Sequence, residues 1–161
     1  MLVIGAISTV QAGDDQAGQK IALLKASTGE WQGTRADGKA VTVTYDLISN
    51  GSTVVERIMP EGEPNMMTMY HLDGDRLIMT HYCAAQNQPR MRAESGKNDP
   101  KSIKFTFFDA TNMANETDGH MHSLELSFRD DDKLNHVWTW RENGQENPVG
   151  FELKRVRMAR K

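Results

Sequence analysis

From Glu30 onward the chain is a succession of short segments in which every second residue is apolar, separated by little except turn residues. The clearest stretch runs Met67-Thr68-Met69-Tyr70-His71-Leu72, then Asp73-Gly74-Asp75, then Arg76-Leu77-Ile78-Met79-Thr80-His81-Tyr82-Cys83. A period of two belongs to a strand with one buried face, and an Asp-Gly step between two such runs marks a hairpin. The same reading along the chain predicts strands over 30–36, 40–49, 52–59, 65–72, 75–84, 89–95, 101–109, 119–129, 132–141 and 148–157. Asn50-Gly51 and Asn143-Gly144 are type I′ signals, Asp37-Gly38 is another turn, and Asp130-Asp131-Asp132 is an acidic tip. Nearly every connection is short, so strands adjacent in sequence pair as a meander. An open sheet of that many strands leaves reactive edges, which closure removes. The expected fold is an all-β, antiparallel, up-and-down β-barrel of about eight to ten strands.

Ahead of the strands, Gln16 to Ser27 reads as one short helix ending near Thr28-Gly29, so residues 16–158 form a single barrel domain. Met1 to Ala12 resembles the remnant of a signal peptide: Leu2-Val3-Ile4-Gly5-Ala6-Ile7 is a short apolar run, and Val10-Gln11-Ala12 has the small residues of a cleavage site. That implies a periplasmic or secreted protein. No stretch has the length of a transmembrane segment. With 161 residues and a formal net charge of -3, the chain lacks the concentrated Lys and Arg that phosphate backbones require, so nucleic acid is excluded as the main partner. The basic run Lys154 to Lys161 reads as a solvated strand end and tail. A single cysteine, Cys83, rules out an intrachain disulfide.

Hairpin register identifies the side chains that face inward. Counting out from Asn50-Gly51 sets Leu47 opposite Val54, Tyr45 opposite Glu56 and Val43 opposite Ile58. That face is apolar except for Glu56, which therefore points inside. Counting from Asn143-Gly144 sets Trp138 opposite Val149, His136 opposite Phe151 and Leu134 opposite Leu153. A three-residue loop at Asp130–Asp132 then sets Leu126 opposite His136, Leu124 opposite Trp138 and His122 opposite Trp140. In the central hairpin Thr68, Tyr70, His81 and Cys83 share the inward face with Leu72, Leu77 and Met79. The expected interior holds Tyr45, Glu56, Tyr70, His81, Cys83, His122 and His136 among apolar residues, with Trp138 supplying apolar surface and an indole donor.

Gly29-Glu30-Trp31, after a short helix and opening the first strand, resembles the Gly-x-Trp signature of the lipocalins and their calycin relatives. The resemblance implies that the Trp closes one end of a barrel. The longer Gly29-Glu30-Trp31-Gln32-Gly33-Thr34 is similar to the opening of the haem-binding nitrobindin barrels, with Thr34 where that opening has its third glycine. Leu134 through Arg157 resembles the closing strands of small secreted bacterial lipocalin-like domains of unknown function. Such barrels host carriers, haem proteins and some enzymes, so the fold alone selects no function.

Three functions fit these residues. The first is binding of a small apolar or amphipathic ligand. Its body would lie against Met and Trp side chains, and Glu56, Tyr70, His81 and His136 would orient its polar end. The second is an enzyme using Glu56 and His81 as an acid–base pair. The third is a haem or metal site using His122 or His136, with His81 completing a three-His set. Each His could equally be satisfied by hydrogen bonds within the barrel. Cys83 reads as a buried thiol beside the pocket. Arg90, in the polar turn Gln86 to Arg90, reads either as a rim residue reaching an acidic ligand or as a solvated loop residue.

Overall fold

A computed structural model describes residues 15–96, 99–129 and 132–156. The segment Met1–Ala12 lies outside the described residues, as do Asp130, Asp131 and the last five residues of the basic tail. Helix α1 spans Gln16–Ala26. Ten strands follow: β1 Gly29–Arg35, β2 Ala40–Ile48, β3 Thr53–Pro60, β4 Met66–Asp73, β5 Arg76–Tyr82, β6 Gln88–Ala93, β7 Ser102–Thr111, β8 His120–Arg129, β9 Lys133–Glu142 and β10 Gln145–Arg155. Each pairs antiparallel with its sequence neighbours, and β1 pairs with β10 to close the barrel.

The hairpin registers agree with the alternation. Tyr45 faces Glu56 and Leu47 faces Val54 across β2 and β3, and Trp138 faces Val149 and His136 faces Phe151 across β9 and β10. The turn at Asn50-Gly51 differs from the expected two-residue type. Ser49, Asn50 and Gly51 all have positive φ, and the chain makes one short 3₁₀ turn closed by Ser52 N–H to the Ser49 carbonyl at 3.1 Å. The loop is longer by one residue on each side, so the pairing across it is unchanged. Leu47 and Leu72 lie on inward-facing rows yet remain exposed, because the barrel ends beside them.

One end of the barrel is plugged. Asp15 caps α1, its carboxylate accepting from Gly18 N–H at 2.9 Å, and Ala17, Ile21 and Leu24 bury one face of the helix. Trp31 is buried at the same end, and its indole N–H donates to the Ser27 carbonyl at 2.8 Å. Arg155 fastens the plug. Its guanidinium lies 4.3 Å over the Trp31 ring and donates to the carbonyls of Thr28 and Ala26 at 2.8 and 2.9 Å. A cation at a helix C-terminus favours both the unpaired carbonyls and the dipole.

Gly33 is required by close packing across the β1–β10 seam. A Cβ placed there would stand 1.8 Å from the Glu152 carbonyl oxygen, and backbone cannot swing aside as a flexible side chain can. Gly33→Ala is expected to destabilise the barrel by about 1–3 kcal/mol through forced displacement of β10. A lowered midpoint in thermal unfolding checks this, and an unchanged midpoint would show the seam to be loose.

Candidate functional site

The middle of the barrel is filled by its own side chains. Tyr45, Tyr70, Met79, Met91, Phe105 and Trp138 are all buried. Among them sits a polar cluster with no exposure to solvent. Glu56 accepts from the Tyr45 hydroxyl at 2.7 Å and from the Tyr70 hydroxyl at 2.9 Å, one on each carboxyl oxygen. The Tyr45 oxygen also lies 3.0 Å from His136 Nε2. Because the Tyr45 proton goes to Glu56, His136 donates through Nε2 to the Tyr45 oxygen. That leaves Nδ1 bare, 3.6 Å from Glu56 and without a hydrogen bond. Burial, then the charge of Glu56, raises the pKa of both phenols well above the ordinary value. Burial lowers that of His136, against the opposing pull of Glu56. The cluster is a satisfied interior carboxylate, as desolvation demands of a group in this position.

His81 belongs to a different set from Glu56. Its Nδ1 bonds the Thr68 hydroxyl at 2.9 Å, and its ring packs on Trp138 with centroids 4.5 Å apart. The expected Glu56–His81 acid–base pair is therefore replaced by Glu56 with two tyrosines and His81 with a threonine. Thr68 and His81 are direct cross-strand partners, which is why the contact forms. Burial lowers the His81 pKa to about 4.

His122 and Arg90 also depart from their expected places, His122 from the interior and Arg90 from a turn. His122 was expected opposite Trp140, but a β-bulge between Met121 and Ser123 places Met121 there and leaves His122 as the extra residue. The bulge turns Met121 toward the core and sets His122 beside His120. Arg90 lies within β6 rather than in a turn, exposed and ion-paired with Asp109. Cys83, expected in the interior, instead follows the last residue of β5 and is only half-buried, because the strand ends at Tyr82; burial still raises its pKa.

The end of the barrel opposite α1 is open, and two spaces occur there. The first is a cleft of ≈ 450 Å³ between β7 and β8, whose pairing stops at Thr106 and Ser123. Phe107, Phe108, Met113, His120, His122 and Arg141 line it. Arg141 can only donate, so His122 accepts at Nε2 (3.1 Å), donates from Nδ1 to His120 Nε2 (3.1 Å), and His120 Nδ1 donates to the Asp118 carbonyl (2.8 Å). All four ring nitrogens are thus engaged, and burial, then Arg141, lowers the His122 pKa.

The second space is a recess of ≈ 120 Å³ that runs from the mouth down to His81 and Trp138. Ile58, Met66, Met121, Val149 and Phe151 form its apolar walls, with Arg35 and Glu63 at the rim. Arg35, Met66 and Met121 were not among the expected site residues. Arg35 could have been found from its place just before the Asp37-Gly38 turn, which marks the barrel's rim. The inward turn of Met121 depends on a bulge that leaves no mark in the sequence.

Because the bulge separates His122 from His81 and His136, no three-His site forms. Among the described residues no three His, Cys, Asp or Glu side chains converge on a metal-sized position. No described helix is long and apolar enough to cross a membrane.

No family model matches the chain, and no curated protein sequence matches it. Solved structures do. The crystal structure of Rv2717c from M. tuberculosis aligns with a TM-score of 0.55 at 16% identity, covering 88% of this chain and 98% of that one. EF1p2_mFAP2b bound to DFHBI aligns over 86% of this chain and 98% of its own at 10% identity, with a TM-score of 0.31, an overlap too loose to relate the two. At these identities the likeness to Rv2717c extends to the barrel fold and no further.

Proposed function

We propose that the protein binds a small, compact amphipathic molecule in the recess at the open end of its barrel, on a calycin-like plan. The observation that carries this reading is the recess itself, an apolar space reaching from the mouth to two buried polar rings, His81 and Trp138. Its size selects the cargo. A volume of ≈ 120 Å³ is well below the ~300–1,000 Å³ of sites for drug-sized ligands, so a lipid chain or a porphyrin does not fit. Glu56, Tyr45 and Tyr70 are spent on one another and act as the structural floor rather than as ligand contacts. The apolar run ahead of Gly13 supports placing this binder in the periplasm or outside the cell.

A native mass spectrum of protein purified from cells tests the proposal. A bound small molecule is expected in the wild type and absent from Val149→Trp, whose larger ring fills the recess. If neither protein carries an adduct, and no fragment in an NMR screen shifts Trp138 or Phe151, the binding role is wrong.

A further inference from the structure

The cleft between β7 and β8 is larger than the recess and has a cation in its wall. Its ≈ 450 Å³ falls within the ~300–1,000 Å³ of small-molecule sites. Beyond Thr106 and Ser123 the two strands no longer pair, so Phe107, Phe108 and His120 line a gap in the sheet. Arg141 lines it too, with its side chain 41% exposed. A guanidinium carries five N–H donors. Arg141 spends one, Nη1, on His122 Nε2 at 3.1 Å. Its cross-strand partner Glu146 stands 4.0 Å from that same Nη1, too far for a hydrogen bond, and the remaining guanidinium donors make no bond among the described residues. We infer that this cleft is a ligand site distinct from the recess, for a small aromatic carboxylate whose anion takes the fork of Arg141 and whose ring lies against Phe107 and Phe108.

A planar guanidinium matches a carboxylate with two parallel hydrogen bonds, which a neutral oxygen cannot reproduce. The carboxylates around the cleft leave room for that anion. Asp109 is held by Arg90 through both oxygens, and Asp118 accepts from the Ala114 and Asn115 N–H groups at 2.9 and 3.0 Å. Glu116 is exposed, where water and salt screen its repulsion. The Arg92 guanidinium, 5.8 Å from the Phe108 centroid, has no carboxylate partner among the described residues and adds positive charge on that side. The aromatic wall is held in place, since the Phe107 centroid lies 4.5 Å from that of His120 and 5.4 Å from that of His122. Burial, then Arg141 and His120, hold the His122 pKa down, with Glu146 opposing. A carboxylate on Arg141 weakens that repulsion, so binding raises the His122 pKa. A protonated His122 no longer accepts from Arg141 and releases Nη1 to the ligand, so affinity rises as pH falls through that titration.

The experiment is an NMR titration of the full ¹⁵N-labelled chain with benzoate, benzamide and acetate. The amide keeps the ring without the charge, and acetate keeps the charge without the ring. Benzoate is expected to bind at least about tenfold more tightly than either, and to shift Phe107, His120 and His122. Arg141→Gln is expected to bring benzoate down to the level of benzamide, whose own binding stays unchanged, and Arg141→Lys to recover only part of the loss. Saturating benzoate should raise the pKa read from the His122 ring in the wild type and leave it unmoved in Arg141→Gln, a change that a purely structural Arg141 would not produce. The comparison of the three probes on the wild type needs no variant to fold. Equal binding of benzamide and benzoate, or benzoate binding indifferent to Arg141→Gln, overturns the carboxylate. Acetate as tight as benzoate overturns the aromatic body. Shifts confined to Trp138 and Phe151 overturn the cleft and leave the recess standing as the binding site, and no shift at Phe107, His120 or His122 with any probe overturns the cleft outright.

Discussion

Glu56→Ala is expected to lower the stability of the barrel by about 3–5 kcal/mol, read as a fall in the urea midpoint at unchanged slope. Two losses add. The Tyr70 hydroxyl loses its carboxyl partner, and the Tyr45 hydroxyl keeps only His136. A hydrogen bond to a carboxylate contributes about 1.5–3 kcal/mol, and a donor stranded in the core adds its desolvation cost. The truncation also leaves a hole in a close-packed interior. Domains have only about 5–15 kcal/mol in total, so this single change removes a large share. Glu56→Gln retains an acceptor oxygen for one tyrosine and is expected to lose about 1–2 kcal/mol. If Glu56→Ala were as stable as the wild type, or more so, the cluster would be a strained functional group rather than the floor assigned to it.

The second large effect is acid lability. Between pH 6.5 and 4 the fold is expected to lose about 3 kcal/mol through His81 alone. Burial depresses its folded pKa to about 4, below the unfolded value of 6.5. In that window the unfolded chain takes up a proton that the native state refuses, so stability is full above the unfolded pKa and falls with falling pH. Each unit of pH costs about 1.4 kcal/mol per proton. His136 and His122 are shifted in the same direction and steepen the loss. The phenols of Tyr45 and Tyr70 act at the other extreme. Their raised pKa values mean that stability falls in strong alkali, when the unfolded tyrosines ionise first. Urea midpoints measured across pH check both limbs, and His81→Phe should flatten the acid limb by about one proton. A midpoint independent of pH between 7 and 4.5 would show that His81 is solvated.

The barrel was legible because alternation and turn chemistry agree in almost every hairpin. A one-residue slip at Asn143-Gly144 would have turned Leu134, His136 and Trp138 to solvent, so the sequence admits a single register there. Glu56 could be placed inside for the same reason. Its partners were only half visible: Tyr45 lies directly opposite, but Tyr70 reaches it diagonally across β3 and β4, where Tyr70 itself pairs with Val54. His122 was misplaced because His120-Met121-His122 alternates identically whether or not a residue bulges. What betrays the bulge is three-dimensional: the unpaired upper halves of β7 and β8 give it room. The recess was hidden for a further reason. Its lining draws on Arg35, His81 and Trp138, on β1, β5 and β9, so only closure of the sheet brings them together.

The seam between β1 and β10 is the one pairing in the barrel that joins distant parts of the chain, with Val156 N–H still donating to the Glu30 carbonyl beyond the last pair of strands. In folding, β1 through β9 can zip hairpin by hairpin through contacts between sequence neighbours, while the cylinder cannot shut until β10 meets β1. Until then the sheet carries two bare rims and an unfastened plug, since Arg155 sits on β10. Aggregation risk in folding is thereby concentrated in the interval before the β1–β10 seam closes.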